Sequence, residues 1–184
     1  MAQSLSTLEQ ASAFVSPCIK NKLGFQVLYW SYLDVTTACN MRCGYCHVIE
    51  SKGSFIDISR AKQSIDFIYK HGGRMLALMG GEPLLLGDSL TQIIEYATTK
   101  KIFTYLPTNV SILNKDLLED LINAGIGVID IAIDSIEKRT GFDKNLEESQ
   151  ENFELVLNSR KNGIYVKLNT VITHENIEDV YKLV

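Results

Sequence analysis

The stretch DVTTACNMRCGYCH, residues 34–47, places Cys39, Cys43 and Cys46 within eight residues of one another, directly after a strand-like run. Thiolates are the ligands that iron–sulfur clusters require, and a cubane of four irons is normally held by four of them. No fourth cysteine stands nearby in the sequence. The stretch therefore predicts a [4Fe-4S] cluster in which one iron keeps an open coordination site, the feature that lets such a centre do chemistry rather than only carry electrons.

Two other interpretations of the three cysteines are open. Positions i, i+4 and i+7 share one face of a helix, so the cysteines could be small buried hydrophobic residues. The intervening Asn40, Arg42 and Gly44 make a poor packed helix, however. A zinc site needs a fourth ligand, which His47 is badly placed to supply and which nothing downstream supplies with finger-like spacing.

The composition is that of an ordinary globular domain. The chain has 184 residues, of which 46% are hydrophobic and 22% charged, enough for one domain with a substantial core. The formal net charge is −4, and there is no run of lysine or arginine. These features give no electrostatic footprint for nucleic acid, so a small-molecule or peptide partner is expected instead.

The sequence also bears on the compartment. It has no apolar run long enough to span a bilayer, and its N-terminus lacks the charged and apolar regions of a signal peptide. A cytoplasmic protein is expected, with no membrane partner. Four cysteines in such a chain, three of them clustered, indicate metal binding rather than disulfides, and Cys18 stands alone as a structural or incidental residue.

Apolar runs alternate with helical patterns along the chain. The predicted strands span residues 24–35, 74–79, 102–106, 127–133 and 165–171, the first of them buried on both faces. The predicted helices span residues 8–15, 57–71, 89–100, 114–125 and 146–162, with a last one beginning at 176. Asp57, Asp88 and Asn114 are the predicted N-caps, and Gly125 and Gly163 are the predicted stop signals.

This alternation predicts a parallel sheet with right-handed crossovers. Five βα units with no glycine-rich dinucleotide turn after the first strand favour part of a barrel over a Rossmann sheet, although spacing alone does not separate the two. We assign residues 1–23 to an N-terminal extension and residues 24–184 to the core domain.

Polar or glycine-rich residues follow every predicted strand. In parallel α/β architectures the working residues gather at the carboxyl ends of the strands, so these residues are expected around one rim. At the strand ends they are Thr36 and Thr37 for strand one, Gly80, Gly81 and Glu82 for strand two, Thr108 and Asn109 for strand three, Asp134 and Ser135 for strand four, and Asn169 and Thr170 for strand five.

Two of these motifs resemble those of a known family. Cys39-x-x-x-Cys43-x-Tyr45-Cys46 resembles the cluster signature of the radical S-adenosylmethionine (radical SAM) enzymes, and residues 80–83, GGEP, resemble their glycine-glycine-glutamate-proline motif. The match runs from about Tyr29 to the end of the chain. The chain departs from the family pattern at Val110, where glycine is frequent, and in having no glycine-rich ribose contact on strand five.

The resemblance implies a fold: an α/β partial (βα)6 barrel of the TIM type, of which this chain holds about five units. A sixth strand is missing, so we expect that the chain is a fragment or that another segment or subunit covers the open edge.

The resemblance also implies cofactors and their ligands. It implies a [4Fe-4S] cluster on Cys39, Cys43 and Cys46, with S-adenosylmethionine chelating the open iron. The residues that would contact S-adenosylmethionine are Gly80, Gly81 and Glu82 at its amino group, the Tyr45 backbone at adenine, Ser135 at the methionyl or ribose groups, and Thr108 and Asn169.

In the family, a low-potential electron from a flavodoxin- or ferredoxin-like donor breaks the sulfonium bond to give methionine and a 5′-deoxyadenosyl radical, which takes hydrogen from a substrate. The order of motifs is most similar to the branch of cofactor-biosynthesis and peptide-modifying enzymes. Two rival hypotheses are an electron-transfer or sensor module with a fourth protein ligand, Cys18 or His47, and a partner-dependent fragment that is inactive alone.

Overall fold

The computed structural model describes residues 5–47 and 53–183, in which strands and helices alternate after an N-terminal helix. The strands are β1 (Ser31–Thr36), β2 (Met75–Gly80), β3 (Phe103–Thr108), β4 (Val128–Ala132) and β5 (Tyr165–Asn169). The α-helices are α1 (Thr7–Lys22), α2 (Ile58–Lys70), α3 (Asp88–Thr99), α4 (Lys115–Ala124), α5 (Leu146–Asn158) and α6 (Ile177–Leu183), and short 3₁₀ turns follow β2 (Pro83–Leu86) and α5 (Ser159–Asn162). No helix in these two ranges is long and apolar enough to cross a membrane.

The five strands form one open parallel sheet in the order β1-β2-β3-β4-β5. A Rossmann sheet reverses its strand order at a switch point, whereas an order that follows the chain without reversal is that of a barrel wall. The prediction of a partial α/β barrel is confirmed. Within the described residues β1 and β5 are the two edges of the sheet, and no sixth strand pairs with either.

The prediction for the first strand is wrong in both its length and its burial. Residues 25–30 lie outside the sheet, and β1 alternates between partly buried and exposed side chains over its first four residues. The physical reason is that β1 is an edge strand. It has β2 on one side only, so Tyr32 and Asp34 remain exposed although their run is rich in aromatic and β-branched residues.

The helix ends follow the capping residues in all but one case. Asp57 accepts hydrogen bonds from the amides of Ser59 and Arg60, and Asn114 accepts one from Leu117. The prediction that Asp88 is an N-cap is wrong, because α3 already begins at Asp88 and its cap position is Gly87, which has no side chain to offer.

Helix α1 is twice the predicted length. A capping box of Ser6 and Glu9 starts it, and it continues past Pro17 to Lys22. Its buried face packs against the amino ends of the strands, where the ring of Phe14 lies 5.5 Å from that of Phe103 and where Ala13 joins a small cluster with Met75. Helix α1 therefore covers the amino ends of β2, β3 and β4, whereas the carboxyl ends face the other way.

The main core lies between the outer face of the sheet and helices α2 to α5. Leu121 of α4 is fully buried in it, whereas Leu8 of α1 is 83% exposed. Replacing Leu121 by alanine should lower the free energy of unfolding by about 2–5 kcal/mol through lost burial and the cavity left behind. The matched change Leu8→Ala should stay within about 0.5 kcal/mol. Urea unfolding of the two variants measures the difference, and equal losses would contradict this placement of the core.

Candidate active site

A cavity of about 190 Å³ lies at the carboxyl ends of the strands, and the cysteine loop forms one wall of it. It is lined by most of the residues that the sequence singles out: Cys39, Cys43, Cys46, Gly80, Gly81, Glu82, Thr108 and Asn169. The remaining lining residues are Met41, Met79, Pro83, Pro107, Asn109, Ala132 and Lys144. Asn169 lies on the edge strand β5 and is exposed, so the cavity opens on that side.

The three cysteines are free thiols. Cys43 is buried, and Cys39 and Cys46 are half-buried. A turn in which the amide of Cys46 donates to the carbonyl of Cys43 brings the second and third close together. Burial raises the pKa of Cys39, and the neighbouring Glu82, Cys43 and Cys46 raise it further. A thiol so placed is deprotonated most readily when a cation or cluster takes up the charge.

The cysteines do not form a site for a single ion. Within residues 5–47 and 53–183, no three histidine, cysteine, aspartate or glutamate side chains converge as a metal site. A zinc ion requires its ligands to converge on one point. A cubane does not, because each thiolate binds a different iron.

Glycine is required at residues 80 and 81 because two backbone segments meet there. A Cβ on Gly80 or on Gly81 would lie 2.0 Å from the carbonyl oxygen of Thr36 or of Ala38, respectively. Gly80 also has a φ of +133°. The sequence predicts that the two glycines let a ligand come close to the backbone. The structure shows that they let the end of β1 and the residues after it come close.

Glu82 is buried, and its carboxylate is held by three donors of the protein. One oxygen accepts from the amide of Leu84 (3.0 Å) and the hydroxyl of Thr108 (2.7 Å), and the other accepts from the amide of Asn109 (2.8 Å). Burial raises the pKa of Glu82, whereas these hydrogen bonds and the positive charge of Lys144 act to lower it. The side chain thus joins the ends of β2 and β3 and faces the cavity with most of its acceptor positions in use.

An amide network ties the cysteine loop to the segment after β3. Asn109 donates to the side-chain oxygen of Asn40 (3.0 Å), and Asn40 donates to the hydroxyl of Ser111 (2.7 Å). Between them Val110 is buried and has a φ of +53°. A β-branched residue rarely adopts this left-handed backbone, which explains physically why a glycine suits the position.

Tyr45 and Ser135 lie beside the cavity rather than among its lining residues. The hydroxyl of Tyr45 donates to the buried carboxylate of Asp134, whose other oxygen accepts from the amide of Val171 (2.8 Å). Burial and the hydrogen bond to Asp134 raise the pKa of Tyr45. Ser135 is fully buried, and its hydroxyl donates to the carbonyl of Glu137 (2.8 Å).

Lys144 is the lining residue that sequence reasoning missed altogether. It lies in the loop between β4 and α5, and its ammonium is 5.4 Å from the centre of the Tyr45 ring. A single lysine in a polar loop has no spacing signal, so only the folded chain reveals it. Met79, Pro107 and Ala132, in contrast, share a face with the strand ends and could have been found from the alternation of side chains along a strand.

Comparison with known proteins now gives the family. The family model described as "Radical SAM superfamily" matches residues 33–184. The chain belongs to the radical SAM superfamily. Members of this superfamily are enzymes.

Curated radical SAM relatives match most of the chain. It is 27% identical over 157 residues to an AdoMet-dependent heme synthase of Methanosarcina barkeri, a match that covers 81% of this chain and 44% of the relative. It is 28% identical over 160 residues to a GTP 3′,8-cyclase of Helicobacter pylori, covering 80% of this chain and 48% of the relative. The chain therefore spans about half the length of these two radical SAM relatives.

Solved radical SAM structures share the fold. SuiB of Streptococcus suis bound to S-adenosylmethionine superposes with a TM-score of 0.72 at 17% identity, covering 96% of this chain and 41% of SuiB. The enzyme anSMEcpe, solved with AdoMet and a peptide, superposes with a TM-score of 0.65 at 17% identity, covering 83% of this chain and 46% of its own. At this identity the likeness shows the fold alone.

The contact at Gly81 leads to a steric prediction. Gly81 has an ordinary negative φ, so Gly81→Ala adds a methyl group against the Ala38 carbonyl without backbone strain of its own. We expect a loss of about 1–3 kcal/mol in the free energy of unfolding, because the backbone of the cysteine loop must move. The control is Gly44→Ala in the same loop, where the methyl group would lie 3.6 Å from the nearest atom. Unfolding in urea compares the two, and a Gly81 variant as stable as the Gly44 variant would refute the close approach.

The carboxylate of Glu82 leads to a second prediction. Glu82→Gln replaces one acceptor oxygen by an NH₂ group that faces donors, and should cost about 1–3 kcal/mol of unfolding free energy. Glu119→Gln, on the exposed side of α4, removes a surface carboxylate instead and should cost no more than about 0.5 kcal/mol. Thermal and urea unfolding provide the measurement. A Glu82 variant as stable as the Glu119 variant would mean that the three hydrogen bonds do not hold the strand ends together.

Proposed function

We propose that this chain is the core of a radical SAM enzyme, in which Cys39, Cys43 and Cys46 hold a [4Fe-4S] cluster and S-adenosylmethionine binds in the cavity beside them. One observation carries the proposal: the three thiols line the same cavity as the end of β2 and the ends of β3 and β5. A cluster ligated there would lie within reach of any ligand in that cavity.

The donor set fits a cluster with one open iron. Three thiols line the cavity, and the fourth cysteine, Cys18, is exposed on α1 beside Tyr29, outside the lining residues. His47 is exposed and is also not a lining residue. The rival electron-transfer module needs one of these two as a ligand, so the geometry supports it less well. When bound, the cluster and S-adenosylmethionine supply a one-electron cleavage of the sulfonium and hydrogen-atom abstraction from a substrate.

The chain's own groups suit the charged ends of S-adenosylmethionine. A carboxylate has about four acceptor positions, and three of those of Glu82 are used within the protein. The remaining position suits one hydrogen of an ammonium group. Lys144 supplies a positive charge at the same cavity, suited to a carboxylate.

Other residues would position the groups that bind S-adenosylmethionine or offer further contacts to it. Thr108 donates its hydroxyl to Glu82 and so orients that carboxylate. The bond from Tyr45 to Asp134 braces the cysteine loop against the end of β4, which supports its predicted backbone contact with adenine. Asn169 offers an amide on the open side of the cavity. The contact of Ser135 with S-adenosylmethionine stays a prediction, and its hydroxyl already donates to Glu137.

The substrate is a small molecule or a peptide in this proposal. One relative is named as a heme synthase and another as a GTP cyclase, and SuiB has been solved with its precursor peptide SuiA. A flavodoxin- or ferredoxin-like donor would supply the electron. The proposed compartment is the cytoplasm, since thiols stay reduced there.

Cluster loading and cofactor binding test the proposal. The chain is reconstituted anaerobically with iron and sulfide, and its visible absorbance is recorded for Cys39→Ala, Cys43→Ala, Cys46→Ala and the control Cys18→Ala. We expect each of the first three to lose the cluster absorbance, because a thiolate ligand is lost, and the Cys18 variant to keep it.

S-adenosylmethionine is then added to the reduced, reconstituted chain. We expect the paramagnetic resonance signal of the cluster to change and 5′-deoxyadenosine to form. An unchanged signal would refute the radical SAM proposal, a changed signal without 5′-deoxyadenosine would support the partner-dependent fragment, and loss of the cluster in Cys18→Ala would refute the open iron site.

A further inference from the structure

Below the cavity, the inner face of the sheet carries a layer of polar and aromatic side chains. Met79, Pro107, Ala132 and Asn169 line the cavity. Because side chains two residues apart along a strand point to the same face, the residues two positions earlier lie one layer deeper on that face. On three neighbouring strands they are Tyr105, Asp130 and Lys167. β1 adds Tyr32 and Asp34, which pair in register with Ala77 and Met79.

Asp130 is the centre of this layer. It is 1% exposed, and one carboxylate oxygen accepts a hydrogen bond from the hydroxyl of Tyr105. The other oxygen, Oδ1, is buried and accepts no hydrogen bond from any residue in 5–47 or 53–183. A buried carboxylate oxygen without a donor is costly, so the site favours a ligand that brings one.

Lys167 neutralises Asp130 only loosely. Its ammonium lies 3.6 Å from Oδ2 of Asp130 and 2.8 Å from the hydroxyl of Tyr105, and its side chain is 56% exposed at the open edge of the sheet. The long, flexible stem of a lysine allows its ammonium to move away from a partner that it holds at this distance. Its ammonium therefore competes with an incoming cation for the charge of Asp130.

The charges of the layer also favour a cation. Asp34 is exposed on the same face of the sheet, level with the cavity-lining Met79, and adds a second carboxylate to that face. The aromatic rings of Trp30 and Tyr105 lie 5.5 Å apart, and Tyr105 also bonds to Asp130 through its hydroxyl. A carboxylate beside aromatic rings suits an ammonium group on a short alkyl stem.

We propose that the inner face around Asp130 is the substrate site of this chain, and that it takes a substrate bearing a protonated amine, which donates to Oδ1 of Asp130 and competes with the ammonium of Lys167. That the ligand is a substrate rests on the proposed function, because this layer lies directly under the cavity assigned to S-adenosylmethionine. The amine class itself rests only on Asp130, Asp34 and their surroundings.

The single tryptophan of the chain, Trp30, is a built-in reporter of binding. In a ¹⁵N-labelled sample it gives one indole N–H signal, and its ring contacts Tyr105, the donor to Asp130. The probes are 1,4-diaminobutane, the neutral 1,4-butanediol and the dianion succinate, which match in length and differ in charge. We expect 1,4-diaminobutane to shift the signal saturably and the other two to leave it in place.

Two variants that should change the affinity for the diamine in opposite directions make the test specific. Asp130→Asn keeps the shape of the side chain and should weaken binding of the diamine by about tenfold, since it removes the charge that the amine pairs with. Lys167→Met should strengthen binding by about threefold or more, because it removes the competing ammonium. The control Asp120→Asn makes the same charge change on the exposed face of α4 and should leave the affinity within about twofold.

Three results would overturn the proposal. The first is the lack of a saturable shift with the diamine, which would mean that water alone satisfies Asp130. The other two are an equal response to succinate or butanediol, and equal affinities of the Asp130 and Asp120 variants for the diamine. The readout requires neither cluster nor S-adenosylmethionine. Failure of cofactor cleavage would thus refute the proposed enzyme while leaving the amine site standing, and failure of diamine binding would refute the amine site alone.

Discussion

Glu82 makes the contact on which the rest of the site depends. Its backbone amide donates to the carbonyl of Ala38 (2.8 Å), and its carboxylate accepts from Thr108 and from the amide of Asn109. One residue thereby joins the cysteine loop, the end of β2 and the end of β3. The contact is possible only because Gly80 and Gly81 let the backbone of β2 lie against residues 36–38 without a side chain between them. Without Glu82, the cysteine loop and the ends of β2 and β3 would lose the residue that connects all three.

The direction of access follows from what covers each end of the sheet. Helix α1 packs against the amino ends of β2, β3 and β4. The carboxyl rim carries the cysteines, and the edge strand β5 leaves Lys167 and Asn169 exposed at the side. The carboxyl rim is therefore the end of the sheet at which a ligand in the cavity meets the cysteines.

Much of the site follows from local sequence signals, and the exceptions have identifiable causes. The cysteine spacing, Gly80 to Glu82 and Thr108 could be predicted because each is tied to one strand end. The burial of β1 could not, because its apolar run is the same whether the strand lies at the centre or at the edge of a sheet. Lys144 and the bonding of Tyr45 to Asp134 could not either, since they depend on how the loop after β4 folds back over the cysteines. Val110 was visible in the sequence only as a departure from the family pattern, and its φ of +53° supplies the physical meaning.

The amino-acid sequence alone was enough for the alternation of strands and helices, the three clustered thiols with no fourth cysteine nearby, and the glycines before Glu82, because periodicity, ligand chemistry and backbone freedom are local properties. The fold of the described residues was needed to show which strands form the edges, that three donors hold the carboxylate of Glu82, and that Oδ1 of Asp130 is buried with no donor among those residues. These properties depend on residues far apart in the chain, whose distances and burial are set by the packing of the whole sheet.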